Sequence, residues 1–146
     1  MAFRLRIPRD LYEQMIEQAR SELPNECCGL LAGRIVNIAG QDVGQVSARH
    51  ALRNEMASPI EYLSEGRSMF DAYRAMRERE TEILAVYHSH PTSDPIPSGK
   101  DLERSYSPDV VNVIISLKTG EPEVRSWWLT STNHQEAEWE LTDEVG

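Results

Sequence analysis

Apolar residues recur at helical spacing in three segments of the chain. The first predicted helix runs from Pro8 to about Ser21, with Pro8 in the first turn, where proline is favoured. A second helix is predicted from Ser58 to about Arg79, and a short third helix from Ser98 to about Tyr106. The first helix shows the pattern best, with its apolar side formed by Leu11, Met15, Ile16 and Ala19.

Short apolar runs bounded by glycine, proline and asparagine predict strands between and after these helices. They lie near residues 27–33, 34–38, 46–52, 82–90, 110–117, 123–129 and 137–141. Helices interleaved with strands indicate an α/β fold, in which a mixed β-sheet is layered with helices. Because the chain has no internal repeat, low-complexity tract or flexible linker, we expect a single domain over residues 1–146.

Composition and charge exclude several classes of protein. The chain has 146 residues with ordinary hydrophobic and charged fractions, 40% and 27%. The net charge of −9 repels phosphate backbones, so we expect no nucleic-acid partner. No apolar run approaches the roughly 20 residues that cross a bilayer, and no signal peptide is visible, so we expect a cytoplasmic protein without a membrane partner.

Two pairs of identical neighbours are expected to point to opposite faces of their strands, because side chains alternate along a strand. The pair Cys27 and Cys28 forms no secreted disulfide framework, and buried thiols are the expected outcome. In the pair Trp127 and Trp128, one ring is expected in the core and the other is a candidate for exposure, although simple packing is the favoured interpretation.

Two histidines at the end of a predicted strand supply the candidate chemistry. His88 and His90 share one face of that strand, and Pro91 turns the chain away directly after them. Ser98 and Asp101 follow at helical spacing. Two imidazoles and a carboxylate, with a position left for water, are the ligands of a catalytic zinc site. Each part also has a structural interpretation, since a strand histidine is often a core residue and Ser98-x-x-Asp101 fits a capping box.

The combined pattern His88-x-His90-Pro91, six residues, then Ser98-x-x-Asp101 resembles the signature of the JAMM (MPN-plus) zinc metallopeptidases. The segment from Pro24 to Gly33, with Glu26 near its start, resembles the upstream part of small prokaryotic members, and Asn54 and Ser58-Pro59-x-x-Tyr62 also match family positions. The resemblance implies the JAMM/MPN fold, which is similar to that of zinc deaminases. The chain lacks the His-Glu-x-x-His of zincins and the Cys-x-x-Cys of those deaminases.

The resemblance also implies a role for each site residue. His88, His90 and Asp101 would hold one zinc ion per chain, Glu26 would act as the general base, and Ser98 would donate a hydrogen bond to the oxyanion. Because these residues complete the ligand set, Cys27 and Cys28 are interpreted as structural thiols.

The substrate implied by the resemblance is a ubiquitin-like or sulfur-carrier protein, cleaved at the amide or isopeptide bond after its C-terminal Gly-Gly. We expect the tail to pair with an edge offered by the strands near Gly33 to Leu52. Two other functions stay open: a module that binds such tails without cleaving them, and a cell-wall or phage-tail peptidase. The sequence makes no prediction about oligomeric state.

Overall fold

The computed structural model describes residues 2–105 and 107–143, and in that part of the chain eight strands and three helices form an α/β fold. The elements are β1 (Arg4–Pro8), α1 (Arg9–Ser21), β2 (Cys28–Ile38), β3 (Gln41–Leu52), α2 (Gly66–Glu78), β4 (Glu82–His90), α3 (Gly99–Glu103), β5 (Val111–Ser116), β6 (Glu123–Leu129), β7 (His134–Glu136) and β8 (Trp139–Thr142). The predicted mixed sheet layered with helices is confirmed. The predicted end of the third helix, Tyr106, lies outside the described residues.

All eight strands join one curled sheet in the order β7-β6-β5-β4-β2-β3-β1-β8. The pairs β4/β5, β1/β3 and β1/β8 are parallel, and the others are antiparallel. Although β7 and β8 follow each other in the chain, they lie at opposite ends of this order. The two residues between them bond to both ends, since Ala137 N donates to Ser126 O and Glu138 O accepts from Leu5 N. The sheet therefore curls until its two ends nearly meet.

Two apolar clusters cover the two faces of the sheet, one with α1 and one with α2. Cys27 and Tyr87 belong to the cluster that includes Met15 of α1, whereas Cys28 belongs to the cluster that includes Met76 of α2. The prediction that the two cysteines face opposite layers is confirmed. None of the helices in the described residues combines the length and the apolar character that a bilayer span requires.

The first strand was not predicted, although its sequence alternates charged and apolar residues. Leu5 and Ile7 are fully buried, while Arg4 and Arg6 form ion pairs with Glu140 of β8. Five residues are too few for a periodic signal to stand out, and pairing with β3 and β8 holds the strand in place. Pro8 therefore ends a strand, and the helix predicted from Pro8 begins one residue later.

The segment after Cys28 is one long strand where the sequence indicated two short ones. Gly33 was expected to end a strand, but β2 continues to Ile38 with a bulge between Ala32 and Gly33. A Cβ at Gly33 would collide with the backbone oxygen of Gln45, so this glycine permits a close approach of β3. The turn that joins β2 to β3 consists of Ala39 and Gly40, both with positive φ.

Two more element boundaries differ from prediction because distant contacts set them. The second helix begins at Gly66 and not at Ser58, since the Asn54 side chain bonds to four backbone groups and holds the preceding segment in a loop. The strand predicted over 137–141 is β8, which begins two residues later at Trp139. The short strand β7 before it was not predicted, and Ala137 and Glu138 span the two ends of the sheet.

The expected open edge near Gly33 to Leu52 is present along part of this segment. β4 pairs with β2 only as far as Gly33, so the outer side of β2 has no strand partner over residues 34–38 in the described part of the chain, and β1 covers β3 along Val43, Gly44 and Gln45. Within the residues that the structure describes, the outer side of β3 has no strand partner after Gln45.

Gly29 is expected to tolerate no side chain, because it lies directly under the ring of Tyr87. That ring is fully buried, and its hydroxyl is bonded to Gln18 and Arg49, so it cannot move aside cheaply. We predict that Gly29→Ala lowers the free energy of unfolding by about 1–3 kcal/mol in urea denaturation, the usual cost of overpacking. Gly66→Ala is the control, because open space surrounds Gly66. Equal stability of the two variants would contradict this packing argument.

Candidate metal centre

The last residues of β4 bring two imidazoles together on one face of the sheet. His88 and His90 alternate with Ser89, whose hydroxyl faces the other way and accepts a hydrogen bond from the backbone of Cys27. The Nε2 atoms of His88 and His90 lie 3.2 Å apart. Both side chains are nearly inaccessible to solvent, being 1% and 5% exposed. The strand therefore presents two buried nitrogen ligands side by side.

Asp101 reaches both histidines from α3. Its Oδ1 lies 3.1 Å from His88 Nε2, and its Oδ2 lies 3.1 Å from His90 Nε2. Ser98 and Asp101 also form a complete capping box, in which Ser98 Oγ accepts from the Asp101 backbone and Asp101 Oδ2 accepts from the Ser98 backbone. Asp101 thus has both roles that its spacing from Ser98 suggested: it completes the capping box of α3, and its carboxylate contacts the two histidines.

The three side chains fit a tetrahedrally coordinated metal ion. Ligand atoms in a tetrahedral zinc site are about 3.3–3.5 Å apart, close to the 3.1–3.2 Å spacings of this cluster. His90 Nδ1 is 2.8 Å from the carbonyl oxygen of Asp94, which can only accept, so Nδ1 carries a proton and Nε2 is the atom of His90 that would ligate a metal ion. Among the described residues, this metal-capable group comprises His88, His90 and Asp101, without Cys27 or Cys28.

The electrostatics of the cluster favour a bound cation. Burial disfavours the ionised carboxyl of Asp101, but His88, His90 and the Ser98 N–H together hold its pKa well below the usual range. Burial likewise opposes the charged form of His90, yet its bonds to Asp101 and Asp94 raise its pKa above the ordinary value. Asp101 is thus an anion in a nearly closed site, and positive charge is required to balance it.

Glu26 lies beside this cluster but outside it. Glu26 comes just before β2. In the adjoining part of the sheet, Cys28 pairs with His88 and the carbonyl oxygen of Cys27 accepts a hydrogen bond from Ser89 N. Continuing this pairing by one residue places Glu26 near His90. The side chain is buried, with 3% of the residue exposed, and its Oε1 has no hydrogen-bond partner within the described residues. Burial raises the pKa of Glu26 to about 8, although the nearby His90 lowers it, and the negative charge of Asp101 adds to the rise. Glu26 is therefore a carboxyl able to take and release a proton near neutral pH.

The segment before α2 forms a wall over the histidines. The ring of Tyr62 stacks on His88 at 4.8 Å, and Glu61 pairs with Lys100 at 2.7 Å and Arg104 at 3.5 Å. Tyr62 matched a family position in the sequence, but the ion pairs of Glu61 were missed, since no local pattern reveals a contact across 39 residues.

An apolar pocket of about 490 Å³ adjoins the centre on the far side of Tyr62. Leu30 and Val86, which share the sheet face of His88, form its floor. Its other lining residues are Gly29, Met56, Tyr62, Leu63, Ser64, Met69 and Arg104. The cluster of His88, His90 and Asp101 therefore lies next to a cavity that suits apolar side chains.

The two thiols pack in the core on either side of the sheet. Both are free and buried, and burial raises the pKa of each to about 12. The Sγ of Cys28 contacts Leu52 O and the hydroxyl of Ser64, each at 3.9 Å. Protonated, enclosed thiols of this kind are inert packing groups.

Comparison with known proteins gives one family. Residues 8–130 match the family described as prokaryotic homologs of the JAB domain. The desampylase of Haloferax volcanii is 32% identical over 118 residues, which cover 77% of this chain and 81% of that protein. The CysO-cysteine peptidase of Mycobacterium tuberculosis is 32% identical over 113 residues, which cover 77% of this chain and 73% of that protein.

A solved structure is similar along almost the whole chain. The solution structure of a protein from Desulfitobacterium hafniense superimposes with a TM-score of 0.84 at 30% identity, and the match covers 97% of this chain and 94% of that one. The fold of this chain is therefore the fold of a protein whose structure has been solved.

Proposed function

The chain belongs to the prokaryotic JAB family of JAMM-type peptidases, and we propose from this premise that it hydrolyses conjugates of a sulfur-carrier or ubiquitin-like protein. The scissile bond is the amide or isopeptide bond after the C-terminal glycine of the carrier. The observation that carries the proposal is the convergence of His88, His90 and Asp101 next to a buried, proton-binding Glu26. The domain spans residues 1–146 and acts in the cytoplasm, where the free thiols of Cys27 and Cys28 stay reduced.

We assign one zinc ion per chain to His88, His90 and Asp101. Two imidazoles and one carboxylate are the donor set of a catalytic zinc site, and their spacing suits that ion. When bound, zinc supplies a Lewis acid that polarises a carbonyl and lowers the pKa of water to about 7. The hydrogen bond from His90 Nδ1 to Asp94 O keeps the His90 ring oriented with Nε2 toward His88 and Asp101, the two other residues that would hold the ion.

Glu26 and Ser98 perform the proton transfer and charge stabilisation in this mechanism. The Glu26 carboxylate takes the proton of the attacking water and delivers it to the departing amine. This task suits a carboxyl whose Oε1 has no hydrogen-bond partner among the described residues and whose pKa is about 8. Ser98 Oγ accepts from the Asp101 backbone and retains one proton to donate to the developing oxyanion. The capping box thereby holds this hydroxyl next to a metal ligand.

The surroundings of the site support a protein substrate with a slender tail. The cluster is almost closed, so the residue before the scissile bond must be small, as glycine is. The adjoining pocket accepts apolar side chains from residues beside that bond. In the same segment, Leu63 and Ile60 are 50% and 66% exposed and offer an apolar surface to the body of the carrier. The relatives named as desampylase and CysO-cysteine peptidase act on carriers of this kind.

The first prediction concerns metal content. Purified protein is expected to contain one zinc ion per chain by elemental analysis, and His88→Ala, His90→Ala and Asp101→Ala are expected to lose most of it because each removes one ligand. Cys28→Ser is the matched control, since Cys28 pairs with His88 in the sheet but lies outside the cluster. Zinc retained by all three alanine variants, or lost from Cys28→Ser, would overturn the ligand assignment.

The second prediction separates the base from the ligands. Glu26→Gln keeps the shape of the side chain and is expected to retain zinc, while turnover falls by roughly 10²–10⁴-fold because the proton acceptor is gone. Ser98→Ala is also expected to retain zinc and to lose roughly 10²–10³-fold in kcat. Turnover of Glu26→Gln at the native rate would reject the general base, and loss of zinc from it would make Glu26 a ligand.

The third prediction concerns the tail. A sulfur-carrier or ubiquitin-like protein from the same genome, extended by one amino acid, is expected to lose that residue, as measured by mass spectrometry. Replacing its last glycine with valine should abolish cleavage, because the closed cluster has no room for a branched side chain. Comparable cleavage of both forms, or of unrelated peptides, would indicate a general peptidase.

A further inference from the structure

Three consecutive carbonyl groups of the loop between β4 and α3 are each held by a side chain from a different strand. Ser93 O accepts from Ser116 Oγ of β5 at 2.7 Å. Asp94 O accepts from His90 Nδ1 of β4 at 2.8 Å, and Pro95 O accepts from Trp127 Nε1 of β6 at 2.9 Å. One of these donors is the proposed ligand His90 itself, so the loop is fixed directly against the metal centre.

The helix that carries Asp101 cannot hold its own position. α3 has five residues, of which Gly99, Lys100 and Glu103 are exposed, and a helix of this length is unstable in isolation. Its nearest apolar anchor is Leu102, the residue after Asp101, which packs against the cluster of Ile114, Trp127 and Leu129. The placement of Asp101 therefore depends on contacts with the sheet.

Trp127 is connected to the chain on both sides of the segment from Ser98 to Asp101. Its indole N–H holds Pro95, three residues before Ser98, and its ring belongs to the cluster on which Leu102 packs. We propose that Trp127 is a positioning residue for the metal centre, which keeps Asp101 within ligand distance of both histidines by anchoring the chain before and after it. This inference rests on the metal centre proposed above.

The consequence is a specific dependence of metal affinity on a residue that touches no ligand. A tetrahedral site needs all its donor atoms at fixed separations, and Asp101 is the donor that comes from a short exposed helix. If the contacts that hold Pro95 and Leu102 are lost, the Asp101 carboxylate can change position, whereas His88 and His90 stay fixed on β4. Loss of such supporting contacts typically lowers metal affinity by 10–100-fold.

The neighbouring tryptophan supplies a matched control. Trp127→Phe keeps an aromatic ring near Leu102 but removes the donor to Pro95 O. Trp128→Phe makes the same change one residue later, where the ring packs edge-on against Phe3 at 5.1 Å, away from the loop. We expect Trp127→Phe to weaken zinc binding by roughly 10–100-fold in chelator competition and to alter the visible absorption of the cobalt-substituted protein. Trp128→Phe should lower the melting temperature while leaving zinc affinity unchanged.

A second pair of variants tests the same loop with less disturbance of the core. Ser116→Ala removes the donor to Ser93 O and is expected to weaken zinc binding in the same direction as Trp127→Phe. Ser126→Ala is its control, because Ser126 is also buried and its Oγ has no hydrogen-bond partner among the described residues. Since Trp127 and Ser116 support one loop, the double variant should lose less affinity than the product of the two single losses.

The outcomes distinguish this inference from the proposed function. If the native protein binds neither zinc nor cobalt, the metal centre itself is wrong. If the native protein binds zinc and Trp127→Phe binds it equally well, or if Trp127→Phe and Trp128→Phe weaken binding alike, the positioning role is wrong. Fully multiplicative losses in the Trp127→Phe/Ser116→Ala variant would also overturn it, because they would show that the two residues act independently.

Discussion

The register between β2 and β4 is the constraint on which the rest of the site depends. Gly29 pairs with Tyr87 and Cys28 with His88, and the Tyr87 ring occupies the space above Gly29 that any other residue would fill. A slip of one residue would turn every side chain of β2 to the opposite face. Cys27 would then replace Cys28 on the face of His88, and Glu26 would leave it. The packing of Tyr87 on Gly29 thus keeps the Glu26 carboxyl on the face of the histidines.

The polar cluster that this register assembles is costly for the fold. Little of each side chain is exposed to solvent in the group His88, His90, Asp101 and Glu26. Within the described residues, neither His88 Nδ1 nor Glu26 Oε1 has a hydrogen-bond partner. Buried polar groups without partners oppose folding, so a stable protein retains them where they serve another purpose. A bound cation would balance the charge of Asp101, so the free energy that these buried groups cost in folding would be recovered when the cation binds. The same burial leaves Glu26 ready to accept a proton.

Local pattern predicted those parts of the protein that depend on local physics. The strands Glu82–His90 and Glu123–Leu129 have the predicted bounds, because apolar runs and turn residues delimit them. The spacing of His88, His90, Ser98 and Asp101 was informative because residues two apart on a strand share one face and residues three apart at a helix start are neighbours. β1, β8 and the start of α2 depend on partners far away in the chain, such as Glu140 for Arg4 or Asn54 for the loop before Gly66. Glu61 and Lys100 escaped prediction for the same reason.

The ligands of the proposed centre are held in place by different parts of the fold, two by a central strand and one by a short helix and the loop before it. Because that helix also begins at Ser98, the contacts that position the metal ligand position the proposed oxyanion donor as well. His88 and His90 belong to a central strand, whereas Asp101 depends on a loop whose carbonyls are held by Ser116, His90 and Trp127. The capping box joins Asp101 to Ser98 by two hydrogen bonds, each between the side chain of one residue and the backbone of the other, so both residues belong to the same turn of the chain. A displacement of the loop would therefore shift the carboxylate ligand and the proposed oxyanion donor together. The geometry that binds the metal and the geometry that stabilises the transition state are, in this fold, set by the same few contacts.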